Sequence, residues 1–143
     1  MKTLVLYHGN CYDGFAAAWA AWKLLGDEAD YRPVNYGQDP PEVVHGQTVF
    51  IVDFSYPRAA LERMYEQTGS RVRVLDHHKT AEEALRGLDF ATFDMNKAGA
   101  RLAWEHFHQD VNGFGETTPE LIAYCEDRDL WRFDLPFTRE IHA

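Results

Sequence analysis

RVRVLDHH, at residues 71–78, joins a short strand-like run to one acidic and two imidazole side chains. Residues 71–75 are rich in branched apolar side chains and predict a buried β-strand. Two other stretches share this arrangement, since residues 3–7 precede His8 and residues 48–52 precede Asp53. Three predicted strands therefore each end at a side chain of the type that binds metal ions.

Predicted helices alternate with these strands along the chain. Further strands are predicted at residues 30–35 and 90–93, and a loop at residues 109–118. Helices are predicted at residues 15–25, 57–67, 80–86, 97–107 and 119–126, with Thr80 as a capping residue. The alternation favours a three-layer α/β/α domain with a mostly parallel sheet of about five strands. Because ligands bind beyond the carboxyl ends of such strands, we expect His8, Asp53 and Asp76 at one edge.

Composition limits the classes of protein to consider. A chain of 143 residues, 45% hydrophobic and 26% charged, suits one globular domain. The net charge of −9 argues against a broad surface for duplex DNA, so any polyanionic substrate needs local cations. The two cysteines form no CxxC pair, and no apolar run has the length of a leader or membrane span. We therefore expect a cytoplasmic protein without a disulfide framework.

Acidic and imidazole side chains at strand ends suit the hydrolysis of phosphoesters. The negative charge of a phosphodiester repels hydroxide, and two cations both neutralise its oxygens and acidify water. Oxygen ligands with some imidazole suit manganese or magnesium. We expect two Mn²⁺ ions, with Mg²⁺ as the alternative.

Asp76-His77-His78, directly after its strand, resembles the signature of the DHH phosphoesterase family. HGNCYDG at residues 8–14 looks like the first motif of that family, VDFS at residues 52–55 like its second, and EDRD at residues 126–129 like its fourth. The motifs occur in the expected order and cover nearly the whole chain. The resemblance implies a DHH-type catalytic domain over residues 1–143.

The resemblance also implies roles for individual residues. Asp53 would bridge the two metals, and Asp76 and His78 would orient ligands or contact the phosphate during catalysis. Between Asp127 and Asp129, we prefer Asp127 as the ligand. The implied metal ligands are His8, Asp13, Asp53, His77 and Asp127, and the implied catalytic residues are Asp53, Asp76, His77 and His78.

Further residues are candidates for substrate binding. Residues 96–100 open a predicted helix with small side chains, and the matching stretch lines the catalytic cleft in the family. The same small residues would also suit a tight packing contact, and lysine or arginine there could equally be a solvated surface charge. The candidates for substrate binding are His78, Asn96, Lys97, Gly99 and Arg128.

The first motif departs from the family pattern at Cys11, where family members usually carry an aspartate. Three interpretations are open: His8 replaces the missing carboxylate, one metal binds weakly, or the Cys11 thiolate is itself a ligand. We expect thiolate ligation least of the three.

The resemblance implies a metal-dependent phosphohydrolase that cleaves phosphodiester bonds of nucleotides or short single-stranded oligonucleotides, as exonuclease-like members do. The alternatives are a phosphoanhydride hydrolase of the pyrophosphatase or exopolyphosphatase type and a catalytically weak nucleotide-binding module. Family members usually carry a second, C-terminal substrate-binding domain, for which 143 residues leave no room. Three explanations are open: a fragment of a longer protein, a naturally minimal protein, or a lid supplied by a partner or by a second copy in a homo-oligomer. We expect a fragment first.

Overall fold

A computed structural model of the protein describes residues 1–109 and 118–135. The strands of these residues form one sheet in which all neighbours run parallel. In chain order they are β1 Thr3–His8, β2 Ala29–Val34, β3 Val49–Val52, β4 Val72–Asp76 and β5 Ala91–Phe93. The order across the sheet is β2-β1-β3-β4-β5. The predicted three-layer α/β fold with a parallel sheet is confirmed.

The helices alternate with the strands, as predicted. They are α1 Tyr12–Leu25, α2 Arg58–Thr68, α3 Lys79–Ala84, α4 Gly99–Trp104 and α5 Glu120–Asp129. A 3₁₀ turn, Gly26–Glu28, follows α1, and a π-helical turn, Glu105–Gln109, extends α4. The loop predicted at residues 109–118 lies mostly outside the described residues. Within the described ranges, no helix combines the length and the apolar character needed to cross a membrane.

Each face of the sheet carries its own apolar core. Along β1, Val5 packs with α1 and α4 on one face, whereas Leu4 and Leu6 pack with α2 on the other. This alternation is that of an extended strand. Alanines dominate the buried side of α1, and their small side chains let the helix lie close to the sheet and to α4. With both faces covered, the carboxyl edge of the sheet remains for a site.

Helix ends differ from the predictions in ways that affect the site. Helix α1 begins three residues earlier than predicted, so Asp13 lies in its first turn. Helix α3 begins at Lys79 with His78 as its capping position, so the prediction of a Thr80 cap is wrong. Helix α4 begins at Gly99 and not at Lys97. Helix α5 extends to Asp129, so the acidic residues predicted to follow the helix belong to its last turn.

Candidate metal centre

The centre lies where the direction of winding of the sheet reverses. Strands β1 and β3 are neighbours, while the chain winds outward from β1 to β2 and from β3 to β4 and β5. Such a reversal opens a crevice beyond the carboxyl ends of the two central strands. His8 ends β1, Asp53 follows β3, and Asp76 ends β4. The structure therefore brings together the strand-end residues singled out from the sequence.

Asp53 occupies the middle of this crevice. Its backbone has a φ of 56°, in the left-handed region that is uncommon for residues other than glycine. Its N–H donates to the Leu75 carbonyl oxygen at 2.8 Å, and the residue is 1% exposed. Unusual backbone conformations of this kind cluster at functional sites, where the surroundings hold them in place.

His77 lies among three carboxylates. Its Nε2 is 3.0 Å from Asp53 Oδ1, 3.1 Å from Asp13 Oδ2 and 3.6 Å from Asp129 Oδ2. Burial opposes a charge on His77, but the hydrogen bonds with Asp13 and Asp53 outweigh it and raise its pKa to about 10. A divalent cation could supply the positive charge that the His77 imidazolium now supplies between the carboxylates.

The carboxylates of this centre repel one another. Burial is the main cause that raises the pKa of Asp53 to about 7, and Asp13 adds to it. Burial also raises the pKa of Asp129 to about 6, again with a contribution from Asp13. Burial opposes ionisation of Asp13 as well, but hydrogen bonds from His77 and the Ala100 N–H hold its pKa below the usual value. A bound cation would relieve this repulsion and favour the ionised forms.

Asp13 is held by the start of α4. The backbone N–H groups of Gly99 and Ala100 donate to its two carboxylate oxygens at 2.9 Å and 2.8 Å. Gly99 also packs directly on Asp53, since a methyl group at position 99 would lie 2.6 Å from Asp53 Cβ. Gly99 was expected to bind substrate, but the structure places it behind two carboxylates, where it sets their spacing.

Gly14 has a similar packing requirement one residue after Asp13. A side chain at this position would overlap the backbone carbonyl oxygen of His8. The glycine therefore lets the first turn of α1 pass close to the end of β1.

Asp76 makes supporting contacts to the two histidines that follow it. It is fully buried, and its Oδ1 accepts from the His77 N–H at 2.8 Å and contacts His78 Nδ1 at 2.6 Å. Its Oδ2 accepts from the Ser55 hydroxyl at 2.8 Å. Asp76 thus orients both histidines, as carboxylates behind metal-binding histidines do. Ser55 belongs to the second motif, but the sequence indicates no role for it. Its contact with Asp76 shows that it holds that carboxylate in place.

His8 and Cys11 approach Asp53 from the β1 side. His8 Nδ1 lies 3.8 Å from Asp53 Oδ2, and the Cys11 thiol donates to the same oxygen at 3.5 Å. Burial, with the nearby His78, lowers the pKa of His8. Burial raises the pKa of Cys11 to about 11.

The residues of the centre form three groups. Within each group, the nitrogen, sulfur or oxygen atoms lie within 4.8 Å of one another. We call two of them the histidine–cysteine cluster, which is His8, Cys11 and Asp53, and the carboxylate cluster, which is Asp13, His77 and Asp129. A third group, which is Asp53, Asp76, His77 and His78, joins them. Asp53 belongs to the first cluster and, through the third group, contacts His77 of the second. The bridging role implied for Asp53 stays a prediction.

The structure does not support Asp127 as the ligand from α5. One of its carboxylate oxygens accepts from the Asp134 N–H at 2.7 Å and the other from the Leu135 N–H at 3.1 Å. Asp129, two residues along the helix, faces His77 instead. The expectation is corrected in favour of Asp129, because the two side chains project in different directions from the helix.

The remaining substrate-binding candidates divide between the site and its surroundings. Arg128 lies at the site, with its guanidinium 5.2 Å above the Tyr12 ring and beside a 40 Å³ cavity that Cys11 and Asp129 also line. Lys97 instead donates to Glu105 at 2.6 Å.

Asn96 is exposed, and its backbone contacts Asp94 and Arg132. Among the described residues, neither Asn96 nor Lys97 belongs to a group that could hold a metal ion. Both residues contact neighbouring charged side chains, and their role in substrate binding stays a prediction.

Tyr36 was missed by the sequence reasoning. It lies between β2 and β3, just after the strand predicted at residues 30–35. Its ring stacks on Phe54 at 4.5 Å and lies 5.5 Å from the His8 ring and 6.5 Å from the His78 ring. The residue is 58% exposed, so an aromatic surface borders the centre. No local pattern in the sequence indicates this position.

Comparison with known proteins gives relatives of unassigned function. No family model matches the chain. An uncharacterized protein, R106, of Acanthamoeba polyphaga mimivirus is 30% identical over 154 residues, which cover 96% of this chain and 35% of that protein. A crystal structure of an uncharacterized protein from Helicobacter pylori G27 superposes with a TM-score of 0.72 at 15% identity, covering 94% of this chain and 45% of that chain. The chain thus spans about a third of the viral relative and under half of the bacterial one, and the structural likeness shows a shared fold.

Proposed function

We propose that the chain is a metal-dependent phosphohydrolase of the DHH type, which cleaves phosphoester bonds of nucleotides or short oligonucleotides. The observation that carries the proposal is the position of Asp53. It lies at the reversal of the sheet, is buried, belongs to the histidine–cysteine cluster and contacts His77 of the carboxylate cluster at 3.0 Å. A carboxylate shared by two groups of ligand-type atoms is the arrangement that two-metal hydrolysis requires.

The donor atoms fit divalent cations, for which Mn²⁺ is our first choice and Mg²⁺ the alternative. His8 Nδ1 is buried and has no hydrogen-bond partner among the described residues. Burial and repulsion from Asp13 raise the pKa values of Asp53 and Asp129 despite the nearby His77, and a bound cation would favour their ionised forms. Cations bound to Asp13, Asp53, His77 and Asp129 would neutralise phosphoryl oxygens and acidify water.

The side chains at the rim suit an anionic substrate. The hydrogen bond to Asp76 raises the pKa of His78, so the imidazole is charged more readily than a free histidine. That bond engages Nδ1 and leaves Nε2 to donate to a phosphate oxygen. Arg128 contributes a second positive charge beside the small cavity of the site.

Tyr36 favours a nucleotide over an inorganic substrate. An exposed aromatic ring, held by stacking on buried Phe54, gives a flat surface next to His8 and His78. Nucleobases stack on such rings, with a gain of about 1–3 kcal/mol per base. Pyrophosphate and polyphosphate have no ring to place there, so this observation supports the nucleotide branch.

The test is Mn²⁺-dependent hydrolysis of bis-p-nitrophenyl phosphate, short RNA oligomers and pyrophosphate by the metal-free chain after reconstitution. We expect turnover of the two phosphodiesters, and a loss of at least about 100-fold in Asp53→Ala and His77→Ala. Asp30→Ala is the matched control, because Asp30 is an exposed acid that pairs with Lys2 at 3.9 Å away from the centre.

Two results would contradict the proposal. Preferential turnover of pyrophosphate would move the assignment to the phosphoanhydride branch. No turnover in the wild type, with nucleotide binding retained, would instead indicate a binding module.

A further inference from the structure

We propose that the Cys11 thiolate is a metal ligand, so that the histidine–cysteine cluster takes a softer transition metal ion, Zn²⁺, Fe²⁺ or Co²⁺, than the carboxylate cluster does. The inference rests on the proposed function in one respect, that these residues form a metal centre. It reverses the order expected from the sequence, in which thiolate ligation came last.

The separations between the donor atoms match a shared ion. A tetrahedral ion with bonds of about 2.3 Å to sulfur and about 2.0–2.2 Å to nitrogen and oxygen holds its ligand atoms about 3.4–3.6 Å apart. Cys11 Sγ lies 3.5 Å from Asp53 Oδ2, and His8 Nδ1 lies 3.8 Å from the same oxygen. All three donor atoms lie within 4.8 Å of one another, so side-chain shifts could bring them to one ion.

His8 supplies an independent observation. Its Nδ1 is buried and lacks a hydrogen-bond partner among the described residues, although a buried ring nitrogen normally has one. The ring is held between Tyr36 at 5.5 Å and Phe54 at 5.9 Å, and so its nitrogen stays directed toward Asp53. A fixed imidazole nitrogen without a partner has a free lone pair for a metal.

Cys11 is placed for ligation by the start of α1. It is the residue before the helix, with extended backbone, and its side chain makes no capping hydrogen bond to the helix. The thiol instead points to Asp53. Ligation replaces the S–H bond by a metal–sulfur bond, and the proton leaves to water.

The two clusters differ in the ions they should select. Thiolate and imidazole ligands favour zinc, ferrous iron and cobalt, whereas carboxylates suit manganese and magnesium. The carboxylate cluster contains no sulfur. The centre should therefore hold two different metals when both kinds are offered.

Cobalt titration of the metal-free intact chain tests the proposal without any substrate. Co²⁺ bound to a thiolate has an intense charge-transfer absorption in the near ultraviolet. We expect this band to saturate at one Co²⁺ per chain, to be lost in Cys11→Ser and to remain in Cys125→Ser. Cys125 is the matched control, because it is a buried thiol near the centre that contacts Asp13 at 3.8 Å.

Two further measurements guard against a variant that fails to fold. Cys11→Asp offers a carboxylate in place of the thiolate, and we expect its preference for Zn²⁺ over Mn²⁺ to fall at least about tenfold. In Cys125→Ser, Zn²⁺ should slow the reaction of the remaining thiol with a disulfide reagent at least about tenfold. This second measurement leaves Cys11 unchanged.

The outcomes separate this inference from the proposed hydrolase. An absent band in the wild type, a band that persists in Cys11→Ser, or a thiol whose reactivity ignores Zn²⁺ would overturn thiolate ligation and leave the hydrolase standing. A band lost only with Cys11, in a chain that hydrolyses no phosphoester, would support the ligand and remove the hydrolase.

Discussion

Replacing Gly99 with alanine tests whether the close approach of α4 to Asp53 maintains the centre. The new methyl group would lie 2.6 Å from Asp53 Cβ and 2.7 Å from Oδ1, whereas ordinary contacts begin at 3.4 Å. The start of the helix must therefore retreat by about 0.8 Å, the difference between 3.4 Å and 2.6 Å. The hydrogen bond from the Gly99 N–H to Asp13, now 2.9 Å, would lengthen to about 3.7 Å, beyond hydrogen-bond range.

The expected loss of stability follows from these two changes. Overpacking costs about 1–3 kcal/mol, and losing a hydrogen bond to a charged group costs about 1.5–3 kcal/mol. The free energy of unfolding should fall by about 2.5–6 kcal/mol, which in a domain of this size lowers Tm by about 8–18 °C. Most of the chain should remain folded at room temperature, because domains have about 5–15 kcal/mol of stability.

Urea denaturation and calorimetric Mn²⁺ binding measure the two consequences. We expect Mn²⁺ affinity to fall at least about tenfold, because Asp13 and Asp53 separate. The control is Gly9→Ala, whose methyl group would meet Pro33 Cβ at 3.2 Å and Asn35 Nδ2 at 3.3 Å, contacts that small shifts relieve. If Gly99→Ala kept wild-type stability and Mn²⁺ affinity, the close approach would not be what positions Asp53.

Three further predictions concern the contacts around the centre. In calorimetric titrations, Asp129→Asn should weaken Mn²⁺ binding. Asp127→Asn should lower Tm and leave the Mn²⁺ affinity unchanged. The reverse pattern would restore Asp127 as the ligand. Ser55→Ala should lower the free energy of unfolding by about 1–3 kcal/mol, because a buried oxygen of Asp76 loses its donor, and a urea curve that overlays the wild type would contradict this. As the pH falls, Mn²⁺ binding should weaken about tenfold per pH unit above pH 7 and about 100-fold per unit below it, since the ion must displace a proton from His77, whose pKa is about 10, and below the Asp53 pKa of about 7 a second one from Asp53. An affinity whose pH dependence does not steepen below pH 7 would be inconsistent with a buried Asp53 ligand.

The strand-end residues could be predicted because the signal is local. A run of branched apolar residues indicates a strand, and parallel strands bring their carboxyl ends to one edge whatever their order. His8, Asp53 and Asp76 therefore meet in the structure as expected. The choice between Asp127 and Asp129 could not be made in this way. It depends on how far α5 extends and on which side of that helix faces His77.

The supporting contacts of the centre have a common physical origin. Gly99 and Asp76 act on neighbouring side chains across the fold. Ser55 is 21 residues from Asp76 in the chain, and Gly99 is 86 residues from Asp13. Contacts over such distances leave no periodicity or spacing in the sequence.

The amino-acid pattern alone determined the alternation of strands and helices, the parallel sheet and the placing of acidic and imidazole side chains at its carboxyl edge, because these follow from hydrophobic period and chain direction. Tertiary packing decided which side-chain atoms lie close together. It brought Cys11 and the partnerless nitrogen of His8 to Asp53, turned Asp129 toward His77, and placed Tyr36 beside both histidines. Such placements depend on the rotation of each helix and the path of each loop, which are set by the close packing of α1 and α4 against the sheet.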